Sequence, residues 1–195
     1  MPRLEKGEHC PLNVTKKAEH RVLAGLGWEP HAHAGMLEKL GAAMGLKSIN
    51  HDLDLACLTF DEQKNLLGTI SAIPGYSTDG SGRIYHSGDN VAGEGDGDDE
   101  QVSVELLKLD PSIHYIMFVA TIKSGHTFGE IDSPEIRLAD GYSNHNFLIT
   151  PLTHFAFASI YRKEEGWNIH NISTYIDVTA LQKPNGALST LLTKA

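Results

Sequence analysis

The sequence predicts an all-β protein, a two-sheet β-sandwich with a short inserted helix. Three observations carry that prediction. Short runs of β-branched and aromatic residues recur along the chain, separated by polar turns rich in Asp, Gly and Ser. In one of them, "QVSVELLKL", Val102, Val104 and Leu106 alternate onto a single face, as in a half-buried strand. Only one segment has helical spacing instead. Eight to ten such strands with short connections suit two packed antiparallel sheets.

In chain order, the helix comes first. "HAGMLEKLGAAMGLKS" (residues 33–48) sets Met36, Leu37, Leu40 and Met44 on one face, with Glu38 and Lys39 outside. Gly41 and Gly45 weaken it by roughly 1 kcal/mol each relative to alanine. The expected role is a surface insertion over residues 29–50, its apolar face covered by the sandwich or, as the alternative, by a partner protein. "LDLACLTF" (53–60) is apolar on both faces, like a central strand. "NLLGTISAI" (65–73) follows the turn "DEQK", and "RIYHSG" (83–88) follows "STDGSG". "QVSVELLKL" (101–109) comes next. "IHYIMFVATI" (113–122) is the longest β-branched and aromatic run and predicts another central strand. "PEIRLAD", "HNFLITPL", "HFAFASIYR" and "WNIHNISTYI" complete the set. The weakly patterned tail over 177–195, "DVTALQKPNGALSTLLTKA", is expected to fray. With no linker and no strict repeat, residues 1–195 read as one domain.

A chain of 195 residues can bury a core without disulfides. Cys10 and Cys57 read as two free thiols in a reducing compartment, Cys57 inert inside its strand. No secretory signal and no apolar run near the roughly 18 residues of a membrane span are visible, so the expected location is cytoplasmic, without membrane insertion. The formal charge of −9 disfavours nucleic-acid binding and docking on an anionic bilayer. Six of those negative charges fall within residues 88–100, "GDNVAGEGDGDDE", which contain no basic residue.

Like charges crowded into a folded loop repel, by about 4 kcal/mol for a pair about 4 Å apart at an effective dielectric of about 20. A bound cation removes that cost. The side chains offer only hard oxygens, which suit Ca²⁺ or Mg²⁺ over zinc or copper, and the supple loop favours Ca²⁺. No register places ligands and glycine as an EF-hand requires, and the flanks read as strands. Elsewhere, Asp52 and Asp54 stand two apart at the start of a strand, where both carboxylates point to one face. No lysine or arginine lies within four residues of Asp54 to neutralise it. His31 and His33 in "HAHAG" are two ligands where a structural zinc site takes four, so they read as solvated.

At these residues the sequence resembles the TerD family of bacterial tellurium-resistance and general-stress proteins. The match runs through "GLGW" (25–28), "DLDLACL", "HSGDNVAGEGDGDDE" (86–100), "FGEIDSPEIRLAD" (128–140) and "YRKEEGW" (161–167), and covers roughly residues 3–175. "GLGW" resembles the family segment that ends an early strand. The resemblance implies a sandwich that binds calcium, commonly two ions. It carries ligand roles to Asp52, Asp54, Asp89, Asp96, Asp98, Asp99 and Glu100, with Asn90 and Glu94 as helpers. It further implies a non-enzymatic stress function in complexes with other stress proteins, at the inner face of the membrane through an integral-membrane partner. Two departures stand out: about 23 residues separate "GLGW" from the Asp-Leu-Asp strand, where the family passes quickly, and the usual glycine-rich ending is missing.

Two other functions compete. A metal-dependent hydrolase could use the acidic centre, with His86 or His126 as base, but nothing in the sequence positions either. A binder of a small, cyclic-nucleotide-like ligand could use Lys123 and the glycines of "KSGHTFG".

Overall fold

The fold was obtained as a computed structural model, which describes residues 4–14, 20–30, 36–45, 50–93, 97–131, 133–141, 143–147, 153–164, 166–177, 179–180 and 184–192. Eleven strands are found among them: β1 (His9–Pro11), β2 (Arg21–Gly27), β3 (Leu53–Phe60), β4 (Leu66–Ser71), β5 (Ile84–His86), β6 (Glu100–Glu105), β7 (Tyr115–Ile122), β8 (Glu135–Ala139), β9 (Asn144–Asn146), β10 (His154–Lys163) and β11 (Gly166–Tyr175). They form a six-stranded sheet, β1-β11-β10-β7-β3-β4, and a five-stranded sheet, β5-β6-β2-β8-β9. All the described pairs are antiparallel. No helix among the described residues is long and apolar enough to cross a membrane.

The two sheets close on each other through alternate residues. Leu53, Leu55 and Cys57 of β3, Ile116, Phe118 and Ala120 of β7, and Phe155, Phe157 and Ile160 of β10 face Val22, Ala24 and Leu26 of β2, Val102 and Val104 of β6, and Ile136 and Leu138 of β8. This is the sandwich that the strand pattern predicts. β1 and β2 have no counterpart in the periodicity argument. β1 is a three-residue edge ending in proline, where no ladder hydrogen bond is lost. β2 is the centre of the five-stranded sheet despite two glycines, and its signal is the buried alternation Val22, Ala24, Leu26.

The described part of the tail packs down where fraying is expected. A second apolar cluster covers the outer face of the six-stranded sheet: Leu58, Phe60, Tyr115, Met117, Val119 and Ala156 lie beneath Ile176, Ala180, Leu188 and Leu192. Lys64 Nζ donates to Leu192 O at 2.8 Å and ties this part of the tail to the β3–β4 turn. A short helix, Pro184–Ala187, and a 3₁₀ turn, Ser189–Leu191, shape this cover. β3 and β7 are therefore apolar on both faces because the tail buries the second one.

The inserted helix is shorter than its pattern. α1 spans Met36–Ala43, and Leu40 and Met44 on its apolar stripe are 57% and 67% exposed. The expectation that the sandwich covers these two side chains is wrong. His31 and His33 lie outside the described residues.

Candidate metal centre

Glu100 opens β6 and points between the sheets, where it is fully buried. Its Oε2 accepts the Leu55 N–H at 2.6 Å, and its Oε1 accepts the Asn90 N–H at 3.3 Å. His86 lies 3.4 Å from Oε2. The His86 Nδ1 accepts the Gly88 N–H at 3.0 Å, so its Nε2 carries the hydrogen and donates to Leu55 O at 2.9 Å. The strand β3, the loop after β5 and the start of β6 are thus laced together around one carboxylate. Burial pushes the Glu100 carboxyl above the usual range, against the neighbouring His86 and the hydrogen bonds from Leu55 and Asn90.

Asp54, from β3, and Asp89, from the loop, join Glu100. One oxygen from each lies within 4.8 Å of the others. Asp54 is buried, its Oδ1 is paired with Lys123 Nζ, and its Oδ2 has no partner. Asp52 precedes β3, and its Oδ1 is likewise buried without a partner. Burial, then repulsion from Asp54, raises the Asp52 carboxyl above its ordinary range. Lys123 stands just beyond the end of β7, held by its N–H to Asp52 O at 2.9 Å. The cation that a four-residue search around Asp54 fails to find is therefore supplied across the sheet, 69 residues away. Burial works against the Lys123 ammonium, but the hydrogen bond to Asp54 and the charges of Asp54, Asp52 and Asp89 outweigh it and raise its pKa.

The other acidic residues take different places. Asp98 is clamped by Arg137 through Oδ1–Nε at 2.8 Å and Oδ2–Nη2 at 2.6 Å, and this bidentate pair raises the Arg137 pKa. Asp99 Oδ2 accepts the Trp28 N–H at 2.9 Å, and its Oδ1 accepts Asn90 Nδ2 at 2.8 Å. Burial raises the Asp99 carboxyl, against the Trp28 hydrogen bond. Asn90 Oδ1 in turn accepts the N–H groups of Ala92 and Gly93 at 3.1 and 3.0 Å. Asp98 and Asp99 thus fasten the loop to the sheet rather than joining Asp54, Asp89 and Glu100, while Asn90 braces the loop through its side chain and reaches Glu100 through its N–H. Glu94 and Asp96 lie outside the described residues.

The segment "GLGW" makes room for this arrangement. A Cβ on Gly25 would overlap the Asp98 carboxylate, and one on Gly27 would stand 3.0 Å from Gly97 O. Trp28 and Leu26 hold Asp99 through its side chain and its N–H. The sequence singled out His86 and Lys123 for other roles, as a base and as part of a small-ligand site, and gave no signal for Arg137. Only Gly25 and Gly27, glycines inside a buried alternating strand, hinted at the close approach.

Calcium holds its oxygens at about 2.3–2.6 Å, so two ligands of one ion lie no more than about 5.2 Å apart. The spread of Asp54, Asp89 and Glu100 fits that limit.

Residues 1–183 match the TerD domain family. The chain is 34% identical over 140 residues to the "Tellurium resistance protein TerZ" of Serratia marcescens, covering 72% of this chain and 69% of that one. It is 30% identical over 199 residues to the "Stress response protein SCP2" of Bacillus subtilis (strain 168), covering 92% and 94%. Among solved structures, it resembles the unknown function protein SAV2460, with a TM-score of 0.65 at 22% identity, covering 83% of this chain and 94% of that one. It also resembles a homologue of telluride resistance protein (TerD), SCO6318 from Streptomyces coelicolor A3(2), with a TM-score of 0.62 at 22% identity, covering 81% and 90%. The acidic loop pinned to a glycine-bearing strand, the two antiparallel sheets and the match over residues 1–183 lead to one conclusion: this chain belongs to the TerD domain family.

Proposed function

We propose that this chain is a non-enzymatic, calcium-binding stress-response protein, in which calcium orders the acidic loop and so controls association with other proteins. The observation that carries this reading is the meeting of Asp54, Asp89 and the fully buried Glu100, one oxygen from each within 4.8 Å of the others, together with a buried Asp54 Oδ2 that has no partner. A desolvated carboxylate oxygen costs free energy unless something positive meets it. Calcium supplies two positive charges to a set of hard oxygens. Asp54, Asp89 and Glu100 would hold it, with Asp52 alongside. Glu94 and Asp96 are the remaining donors for a second ion. Lys123 is the counter-ion of the metal-free state, pairing with Asp54 until the ion displaces it. Hydrolysis is the weaker reading, because both ring nitrogens of His86 are committed to the backbone. The proposed setting is the cytoplasm, in complexes of stress proteins that reach the inner membrane face through an integral-membrane partner.

Calorimetric titration of calcium into metal-stripped protein tests the reading. Glu100→Gln and Asp89→Asn should each weaken binding by about tenfold or more, roughly 1.4 kcal/mol. Asp61→Asn, beyond the far end of β3, should leave it unchanged, and Lys123→Met should strengthen it. Absence of calcium binding in the unaltered chain would sink the proposal.

A further inference from the structure

At the end of the six-stranded sheet away from the acidic loop lies a half-open cavity of about 820 Å³. Asp54 starts β3 and Lys123 follows β7, whereas Glu62 follows β3 and His114 precedes β7, so roughly 25 Å of strand separates the two sites. The cavity is bounded by the β10–β11 turn, the approach to β7 and the segment leaving β1. Its walls include the buried Leu12 and Trp167. Over the Trp167 ring stands Arg162, its guanidinium carbon 4.6 Å from the ring centroid.

Arg162 is half-buried, and no carboxylate pairs with it among the described residues. Its Nε donates to Ile113 O at 3.3 Å and its Nη2 to Asp110 O at 3.5 Å. A guanidinium has five N–H donors, and these two neutral carbonyls use two of them. Burial lowers its pKa, so the charge sits where water solvates it poorly. Among the described lining residues, the other charged groups, Lys163, Glu62 and Glu164, are exposed side chains at the rim, where solvent screens them, and His114 is half-buried beside them. The interior therefore combines an apolar wall, an indole face and one positive charge with donors to spare.

We propose that this cavity binds a small organic anion, a carboxylate or a phosphate monoester on a flat apolar body. The anionic group takes the free edge of Arg162, and the body lies against Leu12 and Trp167. The size falls within the range of small-molecule sites, which are mostly apolar with a few convergent polar groups. A planar guanidinium fork matches both carboxylate and phosphate. The site uses none of the residues of the candidate metal centre and does not depend on calcium.

An NMR titration of the ¹⁵N-labelled full chain tests it, with benzoate, phenyl phosphate, benzyl alcohol and inorganic phosphate as probes. The chain has two tryptophans, so the indole N–H of Trp167 reports this cavity while that of Trp28 reports the opposite end. Benzoate and phenyl phosphate should shift the Trp167 signal saturably and leave Trp28 in place; the tighter of the two identifies the anionic group. Benzyl alcohol and inorganic phosphate, each lacking half of the recognised chemistry, should bind at least about tenfold more weakly. Arg162→Met, which keeps the packing stem, should weaken both organic anions by about tenfold and leave benzyl alcohol unchanged. The proposal is overturned by the absence of a saturable Trp167 shift up to about 10 mM probe. Equal affinity for benzoate and benzyl alcohol, or undiminished anion binding in Arg162→Met, overturns it too. If Arg162→Met does not fold, the benzoate and benzyl alcohol comparison in the unaltered chain decides alone.

Discussion

A methyl group at position 25 would overlap the carboxylate of Asp98, which cannot retreat because Arg137 holds both of its oxygens. Gly25→Ala must therefore either bend β2 or break the ion pair. Overpacking of this kind costs about 1–3 kcal/mol, so the variant should melt several degrees lower by calorimetry. Gly93 is under a similar constraint, with φ at +67° and a Cβ that would come within 2.5 Å of Trp28 Nε1. A different residue responds to acid. His170 pairs across the strands with His9 and stacks on its ring at 4.3 Å, and burial, then the charge of His9, lowers its pKa to about 4. An unfolded histidine takes its proton near 6.5, so between the two values acid favours the unfolded chain. The share of stability that depends on a neutral His170 should be lost as the pH falls from about 6.5 towards about 4 and should be fully present above that window. His170→Gln should flatten the decline when melting temperature is followed against pH.

At the scale of elements, the tail and the inserted helix change places relative to expectation. The helix has the clearer apolar pattern, yet Leu40 and Met44 are exposed. The tail has a poor pattern, yet Leu188 is only 1% exposed. Periodicity reports a face only when an element is long and regular, and the tail buries isolated residues from two short turns. Removing a buried leucine costs the transfer term plus a cavity. Leu188→Ala should therefore destabilise by about 2–4 kcal/mol in urea unfolding. Leu107→Ala, on a 66% exposed side chain, should be nearly neutral. If the two variants unfold alike, the tail is not part of the folded unit.

For the whole molecule, the acidic loop opposes folding and its fastenings restrain it. Arg137 and Lys123 each neutralise one carboxylate, while Glu100 and the unpartnered oxygens of Asp52 and Asp54 remain desolvated. A ligand that binds only the folded chain stabilises it by roughly 2.7 kcal/mol at one hundred times its dissociation constant. Adding a chelator to calcium-saturated protein should lower the melting temperature by several degrees and speed proteolysis within residues 79–100. Glu100→Gln should remove most of the difference between calcium and chelator. A melting curve indifferent to chelator would contradict the proposed role of the loop.

The sequence by itself determined the all-β class, most of the strands, the acidic loop and the family resemblance. Each of these rests on neighbours in the chain: alternation along β6, turn residues before β5, six acidic residues within thirteen. Only the tertiary structure decided which carboxylates meet. Asp54 and Asp89 stand 35 residues apart in the chain, and β3, the loop and β6 bring them to Glu100. Asp98 reads like its neighbours in the sequence, yet Arg137 claims it from a strand 39 residues on. Lys123 reaches Asp54 in the same way, across the β3–β7 pairing. Coulomb attraction and desolvation depend on distance in space, and a chain pattern contains that distance only for residues close along it.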